Sequence, residues 1–477
     1  MLESPLNCVN KYVDDLCTSA NVLLSKKQMV LVSRLLTGMI LLGSFKLNRI
    51  AVLFLLQTSP HAMHAMLRRS GIPFRLLFWG GLKLIFQQFG IRIITIQIDD
   101  TERTRSKNCK ILPFVRKALC KVTGGWIQAQ NIVFIVLVTE KVTIPCWFCF
   151  HKPAELSKEQ KKICKKNPRR TKDFDPTYRT KVDLACIGLF IVSRLLKRME
   201  KELGLSIQIK VAAGDNGFAC AQIQQAVAKY FGCQYVSKAN PNQNVRSRGI
   251  ELSLGEFFKR FNHIQRTISI RGKNIAVEYK AARVFISSYG RKVFAVAIRY
   301  QGERDWQYLF GTDLTWKAES IIKAYGLRWL VEVFFEDWKQ YDGWGVGALQ
   351  RSDEGAVRGL FLSLLTDLFL LYFQNTDESL QEHGRNELYS AGTVIRHLQA
   401  KAIHQAIEGV LEHDNPRKRL AEIQEKLLEI VEKRVSLKHG RQWSFKDLEP
   451  SKSLKLAWGR ENRVHLEKQR LMMTCKN

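Results

Sequence analysis

The segment IRIITIQI, residues 91–98, is a nearly continuous apolar run rich in β-branched residues. Such a run reads as a central strand buried on both faces. It ends on Asp99-Asp100-Thr101. A strand of this kind needs layers on both sides, so the chain is expected to contain an α/β core with two carboxylates at the end of its middle strand.

The flanking pattern extends that core. NIVFIVLV (131–138) and KVTIPCWFCF (141–150) read as two further strands joined at Thr139-Glu140. A basic, proline-containing loop follows over 151–182. Next come a long helix over 182–203, a strand over 206–214, a helix over 221–231 and a short strand over 233–239. Residues 240–312 alternate and carry a Tyr289-Gly290 turn, which predicts antiparallel hairpins. Helix returns from Ser320, and GLFLSLLTDLFLLYF (359–373) predicts a buried helix. Residues 1–90 read as a separate helical domain, 91–375 as the α/β core with a β-rich insertion over 240–312, and 376–477 as a charged helical region. The order of elements in the core is that of an RNase H-like α/β domain.

The chain has 75 lysines and arginines against 44 acids, a formal charge of +31. That excess attracts polyanions, nucleic acid foremost. The longest apolar runs, 28–43, 185–196 and 359–373, fall short of the ~20 residues that span a bilayer, and Arg34, Arg194 and Asp367 interrupt them. The N-terminus carries no basic n-region, so no signal peptide is expected. The 11 cysteines are scattered and odd in number, as in a chain with reduced thiols. The expected location is cytoplasmic, with no membrane partner.

The segment Ser320–Lys339 reads as one helix that is apolar almost all round. Tyr325, Arg328, Glu332 and Lys339 fall within an arc of roughly 60° on one face of it. Burying such groups is costly unless they meet partners: metal, phosphate, water, or an internal ion pair between Arg328 and Glu332.

The spacing Tyr-x2-Arg-x3-Glu-x6-Lys at 325, 328, 332 and 339 resembles the signature of the IS4-type DDE transposases. The resemblance implies an RNase H-like fold and three metal-binding carboxylates. Glu332 is one. The family pattern of an acid, the catalytic Asp, then Thr selects Asp100, with Asp99 as the alternative. Asp215, after the strand IKVAAG, fits the third. Gly124-Gly125-Trp126-Ile127 is similar to a Gly-Trp-Trp-Val segment of the family. The resemblance covers about residues 91–345.

What it implies is a metal-dependent enzyme. Two Mg²⁺ ions, or Mn²⁺ in their place, would be held by Asp100, Asp215 and Glu332, since carboxylates are hard oxygen ligands. Water would cut at a transposon end, and the released 3′-OH would join target DNA. Tyr325, Arg328 and Lys339 would contact DNA phosphates, Arg328 bidentately. Trp306, in WQYLFGT (306–312), resembles a family tryptophan that stacks on a flipped base. A homodimer on paired ends is also implied. The alternatives are an RNase H-like nuclease without strand transfer and a transposase-derived DNA-binding protein.

Other motifs rank lower. Cys146-x2-Cys149-x-His151 with Cys164 has zinc-ligand chemistry but lies in an expected strand, so buried thiols are expected. His61 and His64 have no third ligand near them in sequence. No phosphate-cradling Gly-rich loop and no Gly-x-Ser-x-Gly occurs, which excludes P-loop NTPase and serine hydrolase classes. The basic loop 158–172 and the basic residues of 1–90 (Lys26, Lys27, Arg34, Lys46, Arg49, Arg68, Arg69) are candidate phosphate contacts.

Overall fold

The computed structural model describes residues 2, 4–54, 58–105, 109, 111–119, 125–341, 343–344, 350–381 and 388–432. Five helices come first: α1 (Asn7–Ala20), α2 (Lys26–Leu42), α3 (Leu47–Ala51), α4 (Pro60–Arg69) and α5 (Phe74–Gln88). Strands β1 (Ile93–Arg105), β2 (Val115–Leu119), β3 (Trp126–Val138) and β4 (Thr143–Phe150) follow. Then come α6 (Lys158–Lys166), α7 (Thr171–Phe174), α8 (Lys181–Leu203), β5 (Gln208–Gly214), α9 (Ala221–Phe231) and β6 (Tyr235–Ala239). The β-rich block holds β7 (Asn244–Ser247), β8 (Ile250–Ser253), α10 (Leu254–Lys259), β9 (Ile264–Ile270), β10 (Lys273–Ile286), β11 (Arg291–Tyr300) and β12 (Gln307–Gly311). Helices α11 (Ala318–Gly326), α12 (Trp329–Tyr341), α13 (Asp353–Thr376), α14 (Glu378–Gln381), α15 (Ala391–Leu411) and α16 (Pro416–Glu432) complete the described chain.

Among the described residues, twelve strands form one mixed sheet, in the order β2-β3-β1-β5-β6-β12-β11-β10-β7-β8, with β4 on β3 and β9 on β10. The core run β4-β3-β1-β5-β6 has β3 antiparallel to β1 and to β4, while β5 lies parallel to β1 and to β6. The parallel crossovers are α8 and α9, as α/β connections require. The β-rich block extends the same sheet through β12, which runs antiparallel to β6.

Strand β1 continues well past the apolar run, to Arg105. Its polar half is held by pairing with β3, from Thr95 opposite Val138 to Arg105 opposite Gln128. Asp99 and Asp100 therefore sit in mid-strand rather than at a strand end. Because side chains alternate, they point to opposite faces. One face is packed by α8: a Cβ on Gly188 would lie 2.5 Å from the Trp147 ring, so the helix approaches β4 as closely as only glycine allows. The other face is packed by α12, where Phe134 touches Phe334, Phe335 and Trp338.

The expected single helix over 320–339 is two helices. Gly326 ends α11, and three-residue turn bonds take over: Arg328 N–H to Tyr325 C=O, Leu330 to Leu327, and Val331 to Arg328. Glycine carries a low helix propensity, and Ile270 packs directly against Gly326.

Among the described residues, those up to 416 form one compact unit and those from 417 another. Helices α1–α5 share a core with α12, α13 and the strands across the boundary expected at residue 90: Tyr12, Leu16 and Phe86 cluster with Leu365, Leu368 and Phe369. Helix α13 is longer than the apolar run that predicts it. It is long and apolar enough to cross a membrane, and 72% of its most apolar window is buried inside the protein. In the second unit α16 is described, and Arg419 pairs there with Glu422 at 2.9 Å. The charged segment expected beyond residue 432 lies outside the described residues, as does Gly124.

Candidate active site

Strand β5 lies in parallel register with β1, Ile98 beside Gly214, so Asp215 follows directly alongside Asp99. By alternation Asp215 shares the face of Ala213, which packs with Ile321 and Ile322 of α11. Asp99 shares the α12 face with Phe134, its partner on β3. At the break between α11 and α12, Arg328 reaches back toward this face. Its Nη1 donates to Asp99 Oδ2 at 3.1 Å, its Nη2 to Glu332 Oε1 at 2.5 Å, and its Nε to Tyr325 Oη at 3.1 Å. One guanidinium thus gathers Tyr325, Glu332 and Asp99.

The electrostatics follow from this crowding. Burial pushes the Asp99 carboxyl up to about 6. Arg328 and the Asp100 N–H work against that rise, and the like charges of Asp100 and Asp215 add to it. Burial also drives the Tyr325 hydroxyl up to about 12, against the pull of Arg328. Burial opposes the charge on Arg328, but Tyr325, Glu332 and Asp99 outweigh it and hold the guanidinium well above its ordinary range. Lys339 lies two turns along α12 over the Phe335 ring, 5.8 Å away, with no ion pair among the described residues. Burial lowers its pKa, while Glu102, Asp99 and Glu336 oppose the fall.

Asp100 has different company. Its Oδ2 accepts from Lys181 Nζ at 2.6 Å and from Asn131 Nδ2 at 2.8 Å. Lys181 opens α8, so Asp100 faces the α8 side. His151 closes the same corner: its N–H donates to the Asn131 carbonyl, and its ring meets Tyr178 Oη at 3.3 Å. Burial, then Arg116 and Lys181, press the His151 pKa down to about 4. The sequence reading favours Asp100. The structure places Asp99, its alternative, with Asp215, Glu332, Arg328 and Tyr325.

Trp306 lies apart from this group. It packs with the cluster of Phe258 and Phe310, on the face of the sheet opposite Leu309 and α11. Its ring is covered by Lys280 and Arg299, each 4.8 Å from the centroid. Lys181, Asn131 and His151 are not singled out by sequence as neighbours of the acids. Asn131, a polar residue opening the apolar run 131–138, is the one available signal.

The carboxylate donors suit a hard divalent cation, and one cation, Arg328, already stands between Asp99 and Glu332. As arranged, however, no group of three histidine, cysteine or acidic side chains among the described residues is placed to hold a metal. Asp99 and Glu332 form an ion-pair network instead, while the Asp215 carboxylate makes no hydrogen bond or ion pair among the described residues. In comparison with known proteins, no family model matches the chain, and no curated protein matches it significantly.

Proposed function

We propose that the chain is a DNA transposase with an RNase H-like core, cutting at transposon ends and joining the 3′-OH to target DNA. The observation that carries this reading is the convergence of Asp99, Glu332 and Tyr325 on Arg328, with Asp215 on the strand beside Asp99, in a chain with the spacing Tyr-x2-Arg-x3-Glu-x6-Lys. The core strand order β4-β3-β1-β5-β6, with its first three strands antiparallel and the last two parallel to β1, supports the fold assignment.

In this reading Asp99, Asp215 and Glu332 would hold the metal once Arg328 releases its carboxylates, with Asp100 as the competing first ligand. Mg²⁺ held there would supply the charge that activates water and stabilises a leaving oxygen. Arg328 exchanges its carboxylates for a phosphate, to which its planar fork is matched. The Tyr325 hydroxyl, protonated at neutral pH, is a hydrogen-bond donor beside it. Lys339, with no carboxylate partner among the described residues, adds a point charge farther along α12.

A second reading, DNA binding without cutting, draws on the ion pairs that occupy these acids. The two separate in one assay of Mg²⁺-dependent nicking and joining, using DNA that carries the element's own ends. Cleaved and joined 3′ ends are the expected products. Tight binding with no cleavage in Mg²⁺ or Mn²⁺ would give the second reading the field.

A further inference from the structure

Helix α4 has a sharply defined start: Pro60 occupies its first turn and Ser59 Oγ accepts from Ala62 N–H at 3.1 Å. Met63 and Leu67 bury its inner side. His61, His64 and Arg68, at helical spacing, line its outer side. That side faces Arg351 and the first turn of α13 across a groove of about 590 Å³, whose rim also carries Arg69. Arg358 of α13 fixes the two walls, donating to the Leu67 carbonyl at 3.1 Å.

The five basic side chains His61, His64, Arg68, Arg69 and Arg351 are all exposed, and none has a hydrogen bond or ion pair among the described residues. Elsewhere the arginines are commonly paired, as with Arg299 on Glu278 and Arg328 on Glu332. The acids at the start of α13 do not line the groove; Glu354 is engaged by Arg358. Like charges gathered in a concave site without counter-ions raise the local concentration of polyanions.

We propose that this groove binds the phosphodiester backbone of duplex DNA, with Arg68, Arg69 and Arg351 on phosphates and His61 and His64 as hydrogen-bonding neighbours. The inference takes its polymer from the DNA reading above but not its chemistry, so it is tested in EDTA, where no metal-dependent step runs. The probe is a fluorescent 30-base-pair duplex, titrated by anisotropy with the full chain over a salt series.

The triple variant Arg68→Ala/Arg69→Ala/Arg351→Ala is expected to bind at least about tenfold more weakly. Its dependence of log K on log salt is expected to be shallower, by about 0.9 for each phosphate that is no longer neutralised. A charge-matched control, Lys197→Ala/Lys201→Ala/Lys210→Ala, is expected to bind within about twofold of wild type, because it leaves the groove arginines on their phosphates. The triple Arg→Lys variant, which keeps the charge, is expected to recover most of the binding and guards against a folding defect. Equal losses in control and groove variants, or no loss in the groove variant, would overturn the groove. Groove-dependent preference for single-stranded RNA would overturn the duplex assignment. If wild type binds and cuts DNA while the groove variant binds normally, only the groove fails. If wild type binds no DNA, the DNA reading fails with it.

Discussion

At the scale of single residues, Arg328 and His151 mark the two sides of β1. Arg328 is the shared partner of Asp99, which is mostly buried, and of Glu332, which is more open. Arg328→Ala leaves Asp99 buried without its cation and is expected to cost about 2 kcal/mol of stability in urea unfolding. An Arg328→Ala protein as stable as wild type would show that the bridge carries no weight. On the other side, His151 titrates near 4 when folded and ordinarily near 6.5. The unfolded chain therefore takes up that proton first as pH falls. The contribution of neutral His151 is complete above pH ~6.5 and is lost progressively toward pH ~4. The gap in Tm between wild type and His151→Gln should change across that window and be flat above it. The two aspartates show the limit of sequence at this scale. Both are visible as candidates, but the choice between them depends on which face of β1 each occupies. That is fixed by register with β3 and by α12 arriving from more than 200 residues away, as the 229-residue separation of Asp99 and Arg328 shows.

At the scale of elements, long periodic segments are legible and breaks are not. Helix α9 runs over the residues expected from its pattern, and α8 starts one residue earlier. Pro145 inside β4 is accommodated where the pairing with β3 shifts register, a place where a missing N–H costs little. The break at Gly326 escapes the pattern because glycine inside a helical repeat is tolerated often enough to be uninformative. Helix α13 carries an acid that periodicity counts merely as an interruption. Asp367 has a buried Oδ2 without a partner, and burial, reinforced by Asp337, pushes its carboxyl up to about 8. A carboxyl held higher in the folded state binds protons there first, so this site costs stability as pH rises from ~4 to ~8. Asp367→Asn should melt higher than wild type at pH 8, and the difference should shrink toward pH 5. Equal melting at both pH values would remove the cost assigned to this carboxylate.

At the scale of the molecule, the described residues up to 416 are built on one sheet, and β1, at the centre of its core run β4-β3-β1-β5-β6, is the most legible feature of the sequence. The pattern of the β-rich block announces hairpins, and they extend the core sheet rather than form a separate one, because β12 pairs directly with β6. That pairing, like the shared core of α1–α5 with α13, is a contact between distant segments that local periodicity does not encode. The charge of +31 is legible and bears on partners rather than on fold. In the proposed enzyme the acids on the α12 face, not Asp100 on the α8 face, drive DNA cleavage. The most direct test is Mg²⁺-dependent cleavage of DNA carrying the element's ends by wild type, Asp99→Asn, Asp100→Asn and Glu332→Gln, with binding measured alongside. All four are expected to bind. Asp99→Asn and Glu332→Gln are expected to lose cleavage by at least about a hundredfold, as loss of a charge-stabilising group does, while Asp100→Asn keeps most of it. Cleavage retained by Asp99→Asn and lost by Asp100→Asn would contradict that assignment.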